Sequence, residues 1–334
     1  MRISRRKFLR GSAQAVSAAS LLGTAIARSS SAFAKADADA AKGRVSARDI
    51  TVRDVAGLAL ISGSGCNVVA LPGSNGALMI DGGLAVNSAL LLQAVGKATN
   101  TTRVDTLINT HWHPEQTGSN EAVGKAGGTI IAHEVTRLAL GAHNRSALYE
   151  GIYGPLPKEA LPTVTTYNTG SLQFAGEQVD YRYLPAAHTN GDLFIHFPKR
   201  NVVVAGGPVG SDSWPVIDYL NGGFMHGFVR SYEILADTVK PDTIIIPAIG
   251  PTLTGADIVK EKDIYWALFK QFFILFNKGA GPQDIVNYNR GIDLQTVGTV
   301  TAERPLKSLV EKMGDPAQFL DAAYRSTQLA TIPF

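Results

Sequence analysis

Short apolar runs closed by Gly, Asn or Asp recur in two blocks along this 334-residue chain, each block ending in a helix and one further strand. In the first block Leu58–Ser62, 67–71 and Ala77–Ile80 have β-type composition, the last stopping at Asp81-Gly82-Gly83. That spacing predicts an antiparallel meander. Within 87–99, residues Leu90, Leu91, Leu92, Val95 and Ala98 fall at helical spacing, and a buried strand follows at Val104–Ile108. Helices over 117–126 and Glu134–Leu140 flank a strand at 129–132. A Pro-rich loop, 154–162, opens the second block, with strands at 171–174, 178–184, 193–197 and 201–205, a helix near 229–238 and a strand at 243–247. Two strand-rich halves, each supplied with helices, predict an α/β fold: two mixed sheets face each other and the helices cover the outside. The tail from Gly255 onward reads as three helices packed on the body, one of them over 263–276. No short-period repeat interrupts the pattern.

An apolar content of 45% is ample for a large core and excludes collagen-like, low-complexity and disordered chains. Cys66 is the single cysteine, so an internal disulfide and a Cys-rich zinc site are both excluded. Any metal must be held by His and carboxylates.

Chemistry concentrates in His111-Trp112-His113-Pro114-Glu115-Gln116, at the end of the 104–108 strand. In extended chain, residues two apart point to one side, so His111 and His113 present both imidazoles to a single ion. A third imidazole, His188, stands in a loop that also follows a strand, 178–184. Three His ligands plus a water make an open tetrahedral zinc site with Zn–N of about 2.0 to 2.1 Å.

These motifs, their order, the strand ending at Asp81 and the strand end at Ile130-Ile131-Ala132-His133-Glu134 resemble the metallo-β-lactamase fold superfamily over roughly residues 49 to 255. The resemblance implies an αββα sandwich with the metal site at one edge between the sheets. The family's His-x-His-x-Asp-His reads His111, His113, Glu115 and Gln116 here, and its downstream His falls on His188. Where the family bridges two metals through the Asp of a Thr-Gly-Asp turn, this chain has Gly207, and where the last metal His sits it has Ile249. Neither offers a side-chain ligand atom. The resemblance therefore implies a degenerate second site and a mononuclear hydrolase, with one Zn2+ per chain on His111, His113 and His188. A water activated by the metal would attack the carbonyl of a small thioester, lactone, ester or lactam. Glu115 is the candidate base or a fourth, weaker ligand, and Gln116 is placed to hydrogen-bond the water or the substrate. The competing reading is a non-catalytic descendant that uses the old cleft to bind a small molecule or a protein, since one fold hosts many functions.

Asp81 and Asp192 suit turn and supporting hydrogen bonds. Trp112, Trp214 and Tyr219 are candidates to wall the pocket. His133, His143, His196 and His226 read as surface or satisfied core histidines, and Cys66, in a turn between strands, as inert.

The N-terminus resembles a bacterial twin-arginine signal. Ser4-Arg5-Arg6-Lys7-Phe8-Leu9-Arg10 precedes a mildly apolar stretch, 13–27, and then Ala32-Phe33-Ala34, a small-x-small cleavage site. The stretch is too short and too weakly apolar for a stable membrane span. The expected organisation is a signal over 1–34, a flexible linker over 35–48, the metallo-β-lactamase-like domain over 49–254 and a helical extension over 255–334. The signal implies the twin-arginine export machinery as a partner and the periplasm as destination. The whole chain has a formal charge of +3, but residues 1–34 hold six cations and no acid, leaving 25 cations against 28 acids in the remainder. Such a body has no electrostatic footprint for nucleic acid. Replacing Arg5 and Arg6 by Lys should hold the protein in the cytoplasm; equal amounts of wild type and variant in a periplasmic fraction would refute this signal.

Overall fold

A computed structural model describes residues 46–146, 148–149, 151–292 and 304–331. The signal and all but the last three residues of the linker lie outside the described residues. Those three begin a 3-10 turn at Ala47–Asp49, where the Asp49 carboxylate accepts from the Ser46 amide and hydroxyl.

The first sheet runs in chain order: β1 (Thr51–Val55), β2 (Leu58–Ser62), β3 (Val68–Leu71), β4 (Ala77–Ile80), β5 (Val104–Ile108), β6 (Thr129–His133) and β7 (Val164–Thr166). Pairing is antiparallel from β1 to β4 and parallel from β4 to β7. The parallel part needs crossovers, supplied by α1 (Ser88–Thr99), the short helices α2 (Pro114–Thr117) and α3 (Asn120–Lys125), and α4 (Glu134–Leu140). The second sheet holds β8 (Thr169–Phe174), β9 (Glu177–Leu184), β10 (Asp192–Phe197), β11 (Val202–Gly206), β12 (Ile244–Pro247) and β13 (Leu253–Thr254), adjacent in that order. One long helix, α5 (Met225–Thr238), crosses from β11 to its parallel neighbour β12. Four further helices follow: α6 (Gly255–Asn277), α7 (Pro282–Asn289), α8 (Lys307–Met313) and α9 (Ala317–Thr331).

The layers follow from side chains alternating across each strand. In β4, Leu78 and Ile80 face the second sheet, where they meet the cluster of Ile195, Phe197, Val204 and Ile246. Ala77 and Met79 face the other way, toward Leu91 and Val95 of α1. On the outer side of the second sheet, Phe194, Val203 and Ile245 pack against α5, α6 and α9 through Phe228, Tyr265 and Leu320. Helices therefore cover both outer faces, as the sequence reading expected of an αββα sandwich.

Three local features depart from that reading. The stretch 117–126 is split into two helices, because Gly118 and Ser119 dock on the β4 exit: the Gly118 amide donates to Gly83 O and Ser119 Oγ to Gly82 O. The tail carries four helices among the described residues rather than three. Its first starts at Gly255, not near Asp263, since the Thr254 hydroxyl and the Asp257 carboxylate cap it reciprocally. Strand β1 escaped notice because its Thr, Arg and Asp give it no apolar period; it is an exposed edge, and charge there discourages pairing with another chain.

Among the described residues no helix is long and apolar enough to cross a membrane.

Phe197 is fully buried between the sheets. Phe197→Ala should lower the unfolding free energy by about 3 to 5 kcal/mol, whereas Val52→Ala on the exposed edge should change it by no more than about 0.5 kcal/mol. Chemical denaturation of the two variants at a common metal content would show the contrast.

Candidate metal centre

Two loops meet at the same end of the sandwich. The first leaves β5 and carries Asn109 to Gln116. It is held by a reciprocal pair of amides, Asn109 to Asn120 (3.0 Å) and Asn120 to Asn109 (2.8 Å), with Asn109 Nδ2 also donating to Gln116 O. The second leaves β9 and carries His188. Asp192, at the start of β10, ties it down by accepting from the amides of His188 and Thr189 (both 2.8 Å) and from the Thr189 hydroxyl (2.7 Å).

The loops bring His111, His113 and His188 together, all three buried. His188 Nε2 lies 3.1 Å from His111 Nε2 and 2.9 Å from His113 Nδ1. For comparison, two nitrogens bound to one tetrahedral zinc at 2.0 to 2.1 Å stand about 3.3 Å apart.

The far nitrogen of each ring assigns its tautomer. His188 Nδ1 donates to the Val216 carbonyl (2.7 Å), and His113 Nε2 donates to the Asp218 carboxylate (3.0 Å). His111 Nδ1 lies 3.0 Å from Thr110 Oγ1, whose own proton goes to Asp81 (2.9 Å), so Oγ1 accepts from the ring. Every inward nitrogen is thus an unprotonated lone pair. Three lone pairs at hydrogen-bond distance with no proton between them repel one another, and a cation at their centre turns that repulsion into ligation. The donor set fits a metal ion.

Electrostatics agree. Burial, joined by the neighbouring imidazoles, pushes His111 well below the ordinary histidine value and His188 down to about 3. Both rings are therefore neutral ligands at neutral pH. Burial would raise Asp218, but the hydrogen bond from His113, helped by those from Ser146 and Asn221, holds it below the usual carboxylate range. Asp81 is fully buried in the left-handed region (φ 62°), and burial pushes it up to about 7 against its bonds from Thr110. Asp192 is likewise raised by burial to about 7.

The three imidazoles open on a cavity of roughly 90 Å3. Glu115, Gln116 and Tyr149 line it beside them. Both Glu115 carboxylate oxygens lie 2.7 Å from Tyr149 Oη, which donates to them. Burial and the charge of Glu115 raise the Tyr149 phenol, keeping it a donor. Gln116 is buried, and its Oε1 has no partner. Gly207 lies against His188, and a Cβ built there would collide with the imidazole. Ile249 is half exposed at the rim.

Of the aromatic candidates, Trp214 lines the cavity, Trp112 is buried behind His113 with ring centroids 4.6 Å apart, and Tyr219 is not among the lining residues. The remaining histidines stand apart from the cluster. His133 stacks on Tyr183 and bonds to Tyr167 O, His143 bonds to Gly154 O, His196 sits in β10, and His226 lies against Phe269. Cys66 is buried, and burial pushes its thiol up, so it is not a reactive thiolate. Sequence reasoning gave no role to Thr110, Tyr149, Val216 or Asp218, and the last three act from outside the motifs. Of these only Thr110, next to His111, had a positional signal.

Comparison with known proteins agrees with this fold. The model of the Metallo-beta-lactamase superfamily matches residues 61–248. The metallo-beta-lactamases DIM-1 and IND-7 superpose with TM-scores of 0.52 each, at 17% and 19% identity. They cover 65% and 66% of this chain and 97% and 99% of their own. A metallo-beta-lactamase from Pontibacter korlensis gives 0.49 at 17% identity, over 65% of this chain and 93% of that one. Curated proteins gave no match.

Asp218→Asn keeps the shape of the His113 partner but removes its charge. Metal affinity, read by competition with a chromogenic chelator, should fall by about 10- to 100-fold, with no loss of folded protein by circular dichroism.

Proposed function

Since the chain belongs to the metallo-beta-lactamase superfamily, we propose that it is an exported hydrolase that holds one zinc ion and cleaves a small carbonyl compound: a thioester, lactone, ester or lactam. The observation that carries this reading is the convergence of three imidazole lone pairs on the floor of a small cavity. Nitrogen donors in a tetrahedral arrangement with one direction open suit catalytic zinc.

One metal rather than two is supported by Gly207 and Ile249. Neither has a ligand atom, and a side chain at 207 would displace the His188 ring. The twin-arginine motif supports the periplasm as destination, with the mature body beginning near Lys35, the catalytic domain over 49–254 and the helical extension over 255–334.

When bound, zinc supplies Lewis acidity toward a carbonyl oxygen and lowers the pKa of a water toward about 7. The chain's own groups do the rest. Thr110 with Asp81, Asp218 and the Val216 carbonyl keep the three rings aimed inward. Glu115, one methylene longer than the family's Asp, reaches into the cavity as the base, and the Tyr149 hydroxyl fixes its orientation. The Gln116 amide is free to hydrogen-bond the substrate. In the net reaction a water oxygen bonds to the acyl carbon, the acyl bond to oxygen, sulfur or nitrogen breaks, and the water's proton passes through Glu115 to the leaving atom.

Native protein should contain about one zinc per chain by elemental analysis. His113→Ala should lose metal and turnover together, since two imidazoles compete poorly for zinc. Glu115→Gln should keep its metal while the rate falls about 10²- to 10⁴-fold. The assay is a panel of thioester, lactone, ester and β-lactam substrates. A wild type no faster than His113→Ala on every one of them would make the chain a binding descendant of the fold instead.

A further inference from the structure

The cavity is small. A water needs about 10 to 15 Å3 of such space, so roughly 90 Å3 holds an acyl group of modest size rather than a long chain. Its lining is divided by chemistry. Most polar groups come from the β5 exit, His188 and Tyr149, whereas the stretches after β11 and β12 contribute Val209, Trp214, Pro215, Val216, Ala248 and Ile249, with Ser213 as their one polar side chain. Among the described lining residues none is Lys or Arg, and Glu115 brings a carboxylate into the same space. A metal on the imidazoles would draw the carbonyl end of a ligand to itself. An anionic group elsewhere on the ligand would then stand among apolar side chains without a partner, which is costly.

Trp214 is not held by its own loop alone. Its Nε1 donates to Gly314 O at 3.0 Å, and its ring stacks on Phe319 at 5.3 Å and 17°. Gly314 closes α8 and Phe319 belongs to α9, both beyond the residues that match the superfamily model. Phe319 is itself wedged against Phe228 and Tyr265, so the C-terminal helices form a fixed backing for this wall of the cavity.

We propose that the site takes uncharged acyl compounds with a short tail, that the tail lies against Trp214, and that α8 and α9 set the permitted length by holding that indole. This narrows the hydrolase reading and rests on it. Trp214 determines specificity, and Phe319 and Gly314 position it.

The test uses the zinc-loaded full chain and four hydroxamate probes: acetyl, butyryl and octanoyl, and succinyl, which ends in a carboxylate. Binding is read by titration calorimetry, and hydrolysis of the matching 4-nitrophenyl esters is measured alongside. Butyryl should bind at least about tenfold more tightly than succinyl or octanoyl. Trp214→Ala should raise the octanoyl-to-butyryl binding ratio by about tenfold, and Trp214→Phe, which keeps the stack but loses the bond to Gly314, by less. Phe319→Leu, checked for metal content and thermal melting, should shift the ratio in the same direction. Succinyl binding equal to butyryl, a ratio unmoved in Trp214→Ala, or no binding by any probe would overturn the proposal. The two readings fail separately. The expected binding order without ester turnover would sink the hydrolase but leave the ligand class standing. His113-dependent hydrolysis that favours the carboxylate-bearing ester would do the reverse.

Discussion

Three lone pairs aimed at one point are the interaction on which the rest of this molecule turns. His111 and His113 arrive from the first sheet and His188 from the second, so the site exists only where two independently hydrogen-bonded sheets are held face to face. Without a cation the inward nitrogens repel, and the arrangement persists because each ring is fixed from behind. Those rear bonds are buried and come from separate stretches of chain: Thr110 with Asp81 at the β4 and β5 ends, Asp218, and the Val216 carbonyl. The apolar cluster between the sheets supplies the rigidity. Its contribution to the site is geometric.

How much of this could be read from the chain depends on the range of each signal. The sandwich was legible because its strands are covered on both faces and therefore show as short, dense apolar runs, as in Val68–Leu71 and Val202–Gly206. Edge strands such as β1 carry no such run. The imidazole pair was legible from a spacing of two at a strand end, and the third ring from its place in the family's order of motifs. Asp218 was not. Its role depends on a hydrogen bond across 105 residues of sequence, and its immediate neighbours carry no pattern that announces it. Tyr149 is hidden for the same reason, since its hydroxyl meets Glu115, 34 residues earlier in the chain, only in the folded protein. Trp112 shows the opposite case: a large aromatic between two ligands invites a role in the pocket, yet the bends at 110–113 turn it inward, where it is buried against His113 and Tyr153.

The C-terminal helices extend the fold beyond the superfamily match without adding a separate core. Their apolar side chains merge with those of α5 and the outer face of the second sheet into one cluster. A helix bundle that shares its core with the second sheet can transmit position to it, which a tethered module could not. Trp214 is the place where that continuity reaches the cavity, because it joins the outer cluster on one side and the lining on the other.

Gly207 also bears on the proposed loss of a second metal position, which one substitution would not restore. In this chain the backbone after β11 has closed onto the His188 imidazole, occupying the space that a Cβ would need. A carboxylate introduced at 207 must first push that ring aside, and the ring is pinned by its bond to Val216 and by the Asp192 bonds to its own backbone. Moving it would break the lone-pair convergence that the first metal depends on. The close approach of Gly207 and the tight seat of His188 are thus two sides of one constraint: the site holds its three imidazoles firmly by giving up the room in which a bridging ligand would stand.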